Sequence, residues 1–308
     1  MTIIAFIGLG TMGYPIATNL RNAQWDVVAY NRTPAKAELF ASEGGRASAS
    51  IRNAVTGASI VITMLPDSPD VAAVIAGPGG VLEHAAPGTL IIDMSTIEPD
   101  VSRQLAASAS QRQIRFVDAP VSGGEKGAID GTLSIMVGGS ADDFARANEI
   151  LRAAASSVVH VGPVGAGETV KAANQLLVAG HIQLLAEAIV FLSKHDVPLD
   201  AAMKVLAGGL AGSTVIDRKS GTMIAGNYSP SFRVDLHHKD LGIFHNAARK
   251  VGSASPLGAV VSELMASLRA QGYGELDHSA LLLQTELLSG IDTVPGISPQ
   301  AKETNAPR

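Results

Sequence analysis

Ile3-Ile4-Ala5-Phe6-Ile7-Gly8-Leu9-Gly10-Thr11-Met12-Gly13 stands at the head of the chain, and its reading decides the fold. An apolar run of strand length, Ile3–Leu9, leads into G-x-G-x-x-G, and Tyr14–Asn22 continues in a helical pattern. The glycine spacing alone is a weak signal. A strand before it and a helix after it are the context that a dinucleotide-binding turn requires. In that role Gly8 makes the tight turn, Gly10 lets the backbone approach a pyrophosphate, and Gly13 lets helix and strand pack closely. Leu9, Thr11 and Met12 complete the turn, and the helix start offers N–H groups to phosphate oxygens.

The alternation continues downstream. Strand-like runs follow at Asp26–Tyr30, Ser59–Leu65, Leu90–Met94, Arg115–Asp118, Leu133–Val137 and Val158–Val161, with helical stretches between most of them. Continuous apolar strands separated by helices predict a mostly parallel sheet covered on both faces. After Gly162-Pro163-Val164-Gly165-Ala166-Gly167 the pattern changes to helices only, beginning with one long proline-free helix over residues 168–195. The expectation is an α/β Rossmann-like N-terminal domain over residues 1–162. A long helix joins it to an all-α C-terminal domain over 163–291, and 292–308 form a flexible, proline-bearing tail.

Composition narrows the function. A length of 308 residues suits two domains, and 46% hydrophobic against 17% charged residues suits a packed globular protein. A net charge of −5 argues against a nucleic-acid partner. The absence of cysteine excludes thiol nucleophiles, disulfides and Cys-ligated metals. No uninterrupted apolar run reaches membrane-spanning length, and the N-terminus lacks a basic leader. A cytoplasmic protein with no membrane partner is therefore expected.

Asn31-Arg32-Thr33-Pro34 ends the second strand, where an NAD site commonly carries an acidic residue. A neutral Asn31 followed by cationic Arg32 would accept a 2′-phosphate, which favours NADP(H), with NAD(H) still possible. Thr33-Pro34 also reads as a helix start, with Thr33 as N-cap. Met64-Leu65-Pro66 and Thr96 lie at further strand ends, on the edge where such sheets bind ligands.

Hydride transfer to a carbonyl needs a proton donor at the developing alkoxide. None of Tyr14, Tyr30, Tyr228 and Tyr273 has lysine four positions on. His237 and His238 are adjacent, so a helix points them apart, and both read as helix-surface or pocket-rim residues; no metal is expected. Lys171 remains. It lies early in the long helix, where the helix dipole disfavours a cation, and shares a face with Asn174 and Gln175. Asp118-Ala119-Pro120-Val121-Ser122-Gly123-Gly124 ends a strand in a loop whose successive N–H groups suit a carboxylate.

Gly8–Gly13, Asp118–Gly124, Gly165-x-Gly167-x-x-x-Lys171-x-x-Asn174 and Lys239-Asp240, in this order, resemble the β-hydroxyacid dehydrogenase family. The resemblance extends to about residue 290. It implies a nicotinamide-dependent oxidoreductase with Lys171 as acid/base, and with Ser122, Gly123, Gly124, Asn174 and Gln175 at the substrate. Lys239 would stand near cofactor and substrate, with Asp240 on the cofactor side. It further implies a small hydroxyacid or semialdehyde substrate and a homo-oligomer, dimer or tetramer. The small residues of Leu210-Ala211-Gly212-Ser213 leave room for a substrate that carries its own hydroxyl.

Overall fold

Strand β1 (Ile3–Ile7) is apolar on both faces because both faces are covered. Ile4 and Phe6 join one hydrophobic cluster with Ile60, Ile62, Leu90 and Ile92. Ala5 and Ile7 join a second with Val61 and Ile91. This alternation is the period of two of a strand sandwiched between helix layers. The computed structural model describes residues 2–291, so the tail expected over 292–308 lies outside the described residues.

The other strands are β2 (Asp26–Tyr30), β3 (Arg46–Ala47), β4 (Ile60–Thr63), β5 (Leu90–Asp93), β6 (Arg115–Asp118), β7 (Val121–Ser122), β8 (Leu133–Gly138) and β9 (Ala155–Gly162). They form one sheet in the order β3-β2-β1-β4-β5-β6-β8-β7, with β9 beside β8. Pairing is parallel from β3 to β6 and between β8 and β9, and antiparallel where β8 meets β6 and β7. Interleaved helices are α1 (Gly13–Asn22), α2 (Pro34–Ser42), α3 (Ile51–Val55), α4 (Ser68–Ala76), α5 (Val81–His84), α6 (Pro99–Ser110), α7 (Gly124–Asp130) and α8 (Ala141–Leu151). The expected α/β half is therefore present. β3 and β7, two residues each, escape a sequence reading because so short a run shows no alternation. The strand order reverses between β1 and β4, the switch point at whose carboxyl edge such sheets bind ligands.

Helix α9 (Ala166–Lys194) runs for 29 residues. After it come α10 (Leu199–Gly208), α11 (Thr214–Ile224), α12 (Val234–Lys250), α13 (Pro256–Ala270), a 3₁₀ turn at His278–Ala280 and α14 (Leu281–Leu288). The strand-free reading of this half holds among the described residues, apart from one isolated bridge between Arg233 and Asp277. The chain divides into compact units Met1–Ala173 and Asn174–Arg308, a division that falls inside α9. An 18-residue window of α9 has mean hydropathy 1.8, so by length and composition it could cross a membrane, which a search for uninterrupted apolar runs overlooks. Its apolarity has another use. Ala179, Ile182, Leu185, Ala186, Ile189 and Val190 build the helical unit's core with Met203, Val261, Met265, Leu268 and Leu281.

Candidate active site

The glycines of the β1–α1 turn differ in what they serve. Gly8 has φ +104°, a conformation open to glycine, and a Cβ there would overlap the Met64 carbonyl oxygen. A Cβ on Gly13 would overlap the Gly8 carbonyl oxygen. Gly10 is exposed, and a Cβ there meets nothing within 4 Å. Protein packing therefore demands Gly8 and Gly13, whereas Gly10 leaves a smooth cradle toward solvent. That is the shape a pyrophosphate needs.

The neighbouring strand ends are tied to this turn. Asn31 Oδ1 accepts the Leu9 N–H at 2.9 Å, and Asn31 Nδ2 donates to the Thr33 carbonyl at 3.0 Å. Asn31 thus clamps the glycine turn to the end of β2, and Arg32 beside it is exposed. Leu9 is buried and its N–H is engaged, while Thr11 is exposed and Met12 half-buried. Pro34 occupies the first turn of α2, but the Thr33 hydroxyl makes no capping hydrogen bond.

Sequence reading missed the support behind the next two strand ends. Asp93 is fully buried, and its Oδ1 accepts from Thr63 Oγ1 at 2.7 Å and Ser95 Oγ at 2.6 Å. Ser95 Oγ in turn accepts the Leu65 N–H at 2.9 Å. One carboxylate thereby holds the Met64-Leu65-Pro66 loop and the start of the loop carrying Thr96. Pro66 is exposed and Thr96 half-buried.

On the same edge, β6 and β7 hold the start of α9. Lys171 is 7% exposed, and its Nζ donates to the Val121 carbonyl oxygen at 2.8 Å. Ser122, Gly123 and Gly124 follow directly and are half-buried. Gly123 has φ +140° and Gly124 φ +67°, turning the backbone sharply between β7 and α7. Asp118, wholly buried, accepts from the N–H of Gly165 at 2.7 Å and of Glu168 at 2.9 Å. Burial pushes its carboxyl up to about 6; Asp93 adds to the rise, and the two N–H donors oppose it. Glu168 is also buried and accepts the Ile97 N–H at 3.2 Å.

The helical unit gathers the remaining sequence candidates. Asn174 Nδ2 donates to Gln175 Oε1 at 2.8 Å, and Gln175 Nε2 donates to Asp240 Oδ2 at 2.6 Å. Lys239 Nζ lies 3.0 Å from Asp240 Oδ1. Asn174, Gln175, Asp240 and Lys239 thus form one polar chain across α9 and α12. His237, expected at a surface or pocket rim, is instead fully buried, with Nε2 3.0 Å from the Gln175 carbonyl oxygen. The reason is helical geometry: His237 and Asp240 are three apart on α12 and face α9 together, while His238 points away and is half-buried. His237 carried no local signal, because its partner is 62 positions away.

A mostly parallel sheet with a glycine cradle at its switch point, followed along the chain by a helical unit, is the plan of the two-part nicotinamide-dependent dehydrogenases. Comparison with known proteins agrees. Residues 3–162 match the family model described as the NAD binding domain of 6-phosphogluconate dehydrogenase. Residues 165–284 match the model described as NAD-binding of NADP-dependent 3-hydroxyisobutyrate dehydrogenase. The 2-hydroxy-3-oxopropionate reductase of Escherichia coli K12 is 37% identical over 93% of this chain and 98% of its own. The 2-(hydroxymethyl)glutarate dehydrogenase of Eubacterium barkeri is 35% identical over 95% and 98%. A Mycobacterium tuberculosis 3-hydroxyisobutyrate dehydrogenase structure with L-serine has a TM-score of 0.84 and 33% identity, covering 92% of this chain and 99% of that one. The chain belongs to the β-hydroxyacid dehydrogenase family, nicotinamide-dependent oxidoreductases that act on hydroxyl groups.

Proposed function

We propose that this enzyme reduces tartronate semialdehyde (2-hydroxy-3-oxopropanoate) reversibly to D-glycerate, with NADPH preferred over NADH and Lys171 as general acid/base. The observation that carries the reading is the position of Lys171. Its amine is withdrawn from solvent and held on the Val121 carbonyl, directly before Ser122-Gly123-Gly124. An ammonium placed beside a run of backbone N–H groups suits a substrate bearing a carboxylate at one end and a carbonyl at the other.

In this reading the residues divide the work. Gly8, Gly10, Thr11, Met12 and Gly13 hold the dinucleotide, with Leu9 inside the turn and Asn31, Met64, Leu65, Pro66 and Thr96 along its edge. Arg32 and Thr33 face the 2′-phosphate. The bound nicotinamide supplies the hydride. Ser122, Gly123 and Gly124 bind the substrate carboxylate, and Asn174 its hydroxyl. Gln175, with Asp240 and Lys239, orients Asn174 through the hydrogen bonds described. Lys171 Nζ gives a proton to the substrate oxygen in reduction and takes it back in oxidation. The preference for a hydroxyl-bearing substrate rests on the sequence of Leu210–Ser213, where Ala211 and Gly212 stand in place of a bulky apolar wall, although the Ser213 hydroxyl itself caps α11 by accepting the Ile216 N–H at 3.2 Å. It is supported by the 37% identity to a relative with that activity. The proposal includes a cytoplasmic homo-oligomer. Leu177, Leu184 and Phe191, seven residues apart along α9 and 59–63% exposed, support the association.

Initial rates with tartronate semialdehyde and NADPH or NADH in parallel test the proposal. Fast turnover with preference for NADPH is the expected result. Fast turnover with NADH alone would remove the role of Arg32 and keep the reaction. Failure with both, together with oxidation of 3-hydroxyisobutyrate or of another β-hydroxyacid such as threonate, would overturn the substrate assignment.

A further inference from the structure

The N-terminus of α9 is capped from far away. Neither Gly165 nor Ala166 can cap a helix with its side chain. The N–H groups of Gly165 and Glu168 instead donate to the two carboxylate oxygens of Asp118, which lies 47 and 50 positions earlier at the end of β6. The carboxylate occupies space that two other residues vacate. A Cβ on Gly138 would stand 2.5 Å from Asp118 Oδ1, and one on Gly167 would stand 2.8 Å from Asp118 Oδ2. The glycines of the Gly165-x-Gly167 segment thus have a physical reason: Gly165 has φ +88° and a Cβ there would crowd Arg103, while a Cβ on Gly167 would overlap the Met136 carbonyl oxygen and crowd Asp118. Three residues after Asp118, Val121 accepts the hydrogen bond of Lys171 Nζ. One short stretch, 118–121, therefore holds the first turns of α9 twice, at the backbone and at the buried amine.

We propose that Asp118 is a positioning residue of the reaction, whose ionised carboxylate fixes the register of α9 on β6 and thereby sets where Lys171 Nζ stands beside Ser122-Gly123. The inference rests on the reading of Lys171 as acid/base. Electrostatics favour the arrangement. A cation in the first turns of a helix opposes the helix dipole, and a buried anion at that helix start offsets it. Asp93 of β5 is the charged neighbour that raises the Asp118 carboxyl, Glu168 of α9 donates its N–H to it, and Arg103 of α6 lies against Gly165, the other donor. From β8 the neighbour is Gly138, with no side chain. Protonating Asp118 removes the charge and weakens one of its two acceptors, so the grip on α9 loosens on the acid side of about pH 6.

The test compares wild type with Asp118→Asn, using kcat and KM from pH 5 to 8 and the acetylation rate of Lys171 followed by mass spectrometry. For wild type the expected kcat falls below about pH 6. For Asp118→Asn the expected kcat is lower on the order of 100-fold at neutral pH, as for a reacting group displaced by about an ångström. That variant should also lack the acid limb near pH 6, with KM for the coenzyme unchanged. Lys171 in the variant should acetylate several-fold faster than in wild type, while the exposed Lys36 and Lys126 react as before, which also shows that the variant is folded. A variant with wild-type kcat, one that keeps the same acid limb, or one with unchanged Lys171 labelling would overturn the proposal. If wild type reduces no β-hydroxyacid semialdehyde at any pH, the functional reading fails, and the labelling comparison still decides the role of Asp118.

Discussion

The imidazoles of His237 and His278 meet Nδ1 to Nδ1 at 2.8 Å inside the helical unit. The hydrogen positions follow from the outer partner. His237 Nε2 faces the Gln175 carbonyl, which only accepts, so Nε2 carries the proton. A neutral His237 then accepts at Nδ1, and His278 donates from its own Nδ1. Phe232 presents itself to both rings at 5.5 Å. α12 consequently grips Gln175 twice, through His237 at the main chain and Asp240 at the side chain.

Replacing His237 with Ala should leave the buried Gln175 carbonyl and the His278 donor without this partner, at a cost of about 1–3 kcal/mol. Urea unfolding measures it. His237→Gln, which can still donate to Gln175, should recover part of the loss. Equal destabilisation by both variants would show that ring packing, and not the hydrogen bond, holds the site.

Lys171→Ala should lower kcat roughly 10²- to 10⁴-fold, the range for loss of a positioned general acid. Coenzyme affinity, measured by fluorescence titration, should stay near wild type, because Lys171 Nζ is held on the Val121 carbonyl, beside the proposed substrate loop. An alanine variant with normal turnover would end the acid/base assignment.

The glycine turn allows a paired prediction. Gly13→Ala forces a Cβ into the Gly8 carbonyl and should lower the melting temperature. Gly10→Ala adds a methyl group to open space and should leave the melting temperature of the coenzyme-free protein unchanged while weakening coenzyme binding. Equal thermal losses in both would contradict the division between packing and cradle.

Asp277 governs acid stability. Burial alone would raise its carboxyl, but His278, the Lys219 ammonium at 2.7 Å and Ser279 overcome this and hold it well below the usual carboxylate range. A group with a depressed folded pKa stabilises above its unfolded pKa of about 4, and that contribution is lost as pH falls through the folded value. Asp277→Asn should therefore cost about 3–5 kcal/mol at neutral pH, as for a broken buried pair, and flatten the stability profile below pH 4. Asp118 has the opposite sign: with its carboxyl raised to about 6, its protonation favours the folded state, and that contribution disappears as pH rises through 6. Denaturation midpoints from pH 3 to 7 for wild type, Asp277→Asn and Asp118→Asn separate the two.

Much of the candidate site was legible along the chain because it is written at short range. Gly8, Gly10 and Gly13 share one turn, and Lys171, Asn174 and Gln175 share one helix, so spacing alone brings them together. The motif assigned the three glycines different tasks; only the structure shows which atoms a Cβ would meet, the Met64 carbonyl at Gly8, the Gly8 carbonyl at Gly13 and nothing within 4 Å at Gly10. Asn31 was read for its lack of charge, yet the structure shows a clamp on Leu9. β7 was invisible as a strand because its two residues gain their identity from pairing with β8.

The sequence by itself determined the alternation of strand and helix, the glycine turn after β1, the long helix and the presence of a lysine near its start. These are set by hydrophobic period, backbone freedom and helix spacing, which operate over a few residues. Tertiary structure alone decided that Asp118 caps α9, that Asp93 ties two loops together, and that His237 and Asp240 hold Gln175. These partners lie far apart along the chain, and a buried carboxylate or imidazole takes its role from the donors and acceptors that folding brings to it.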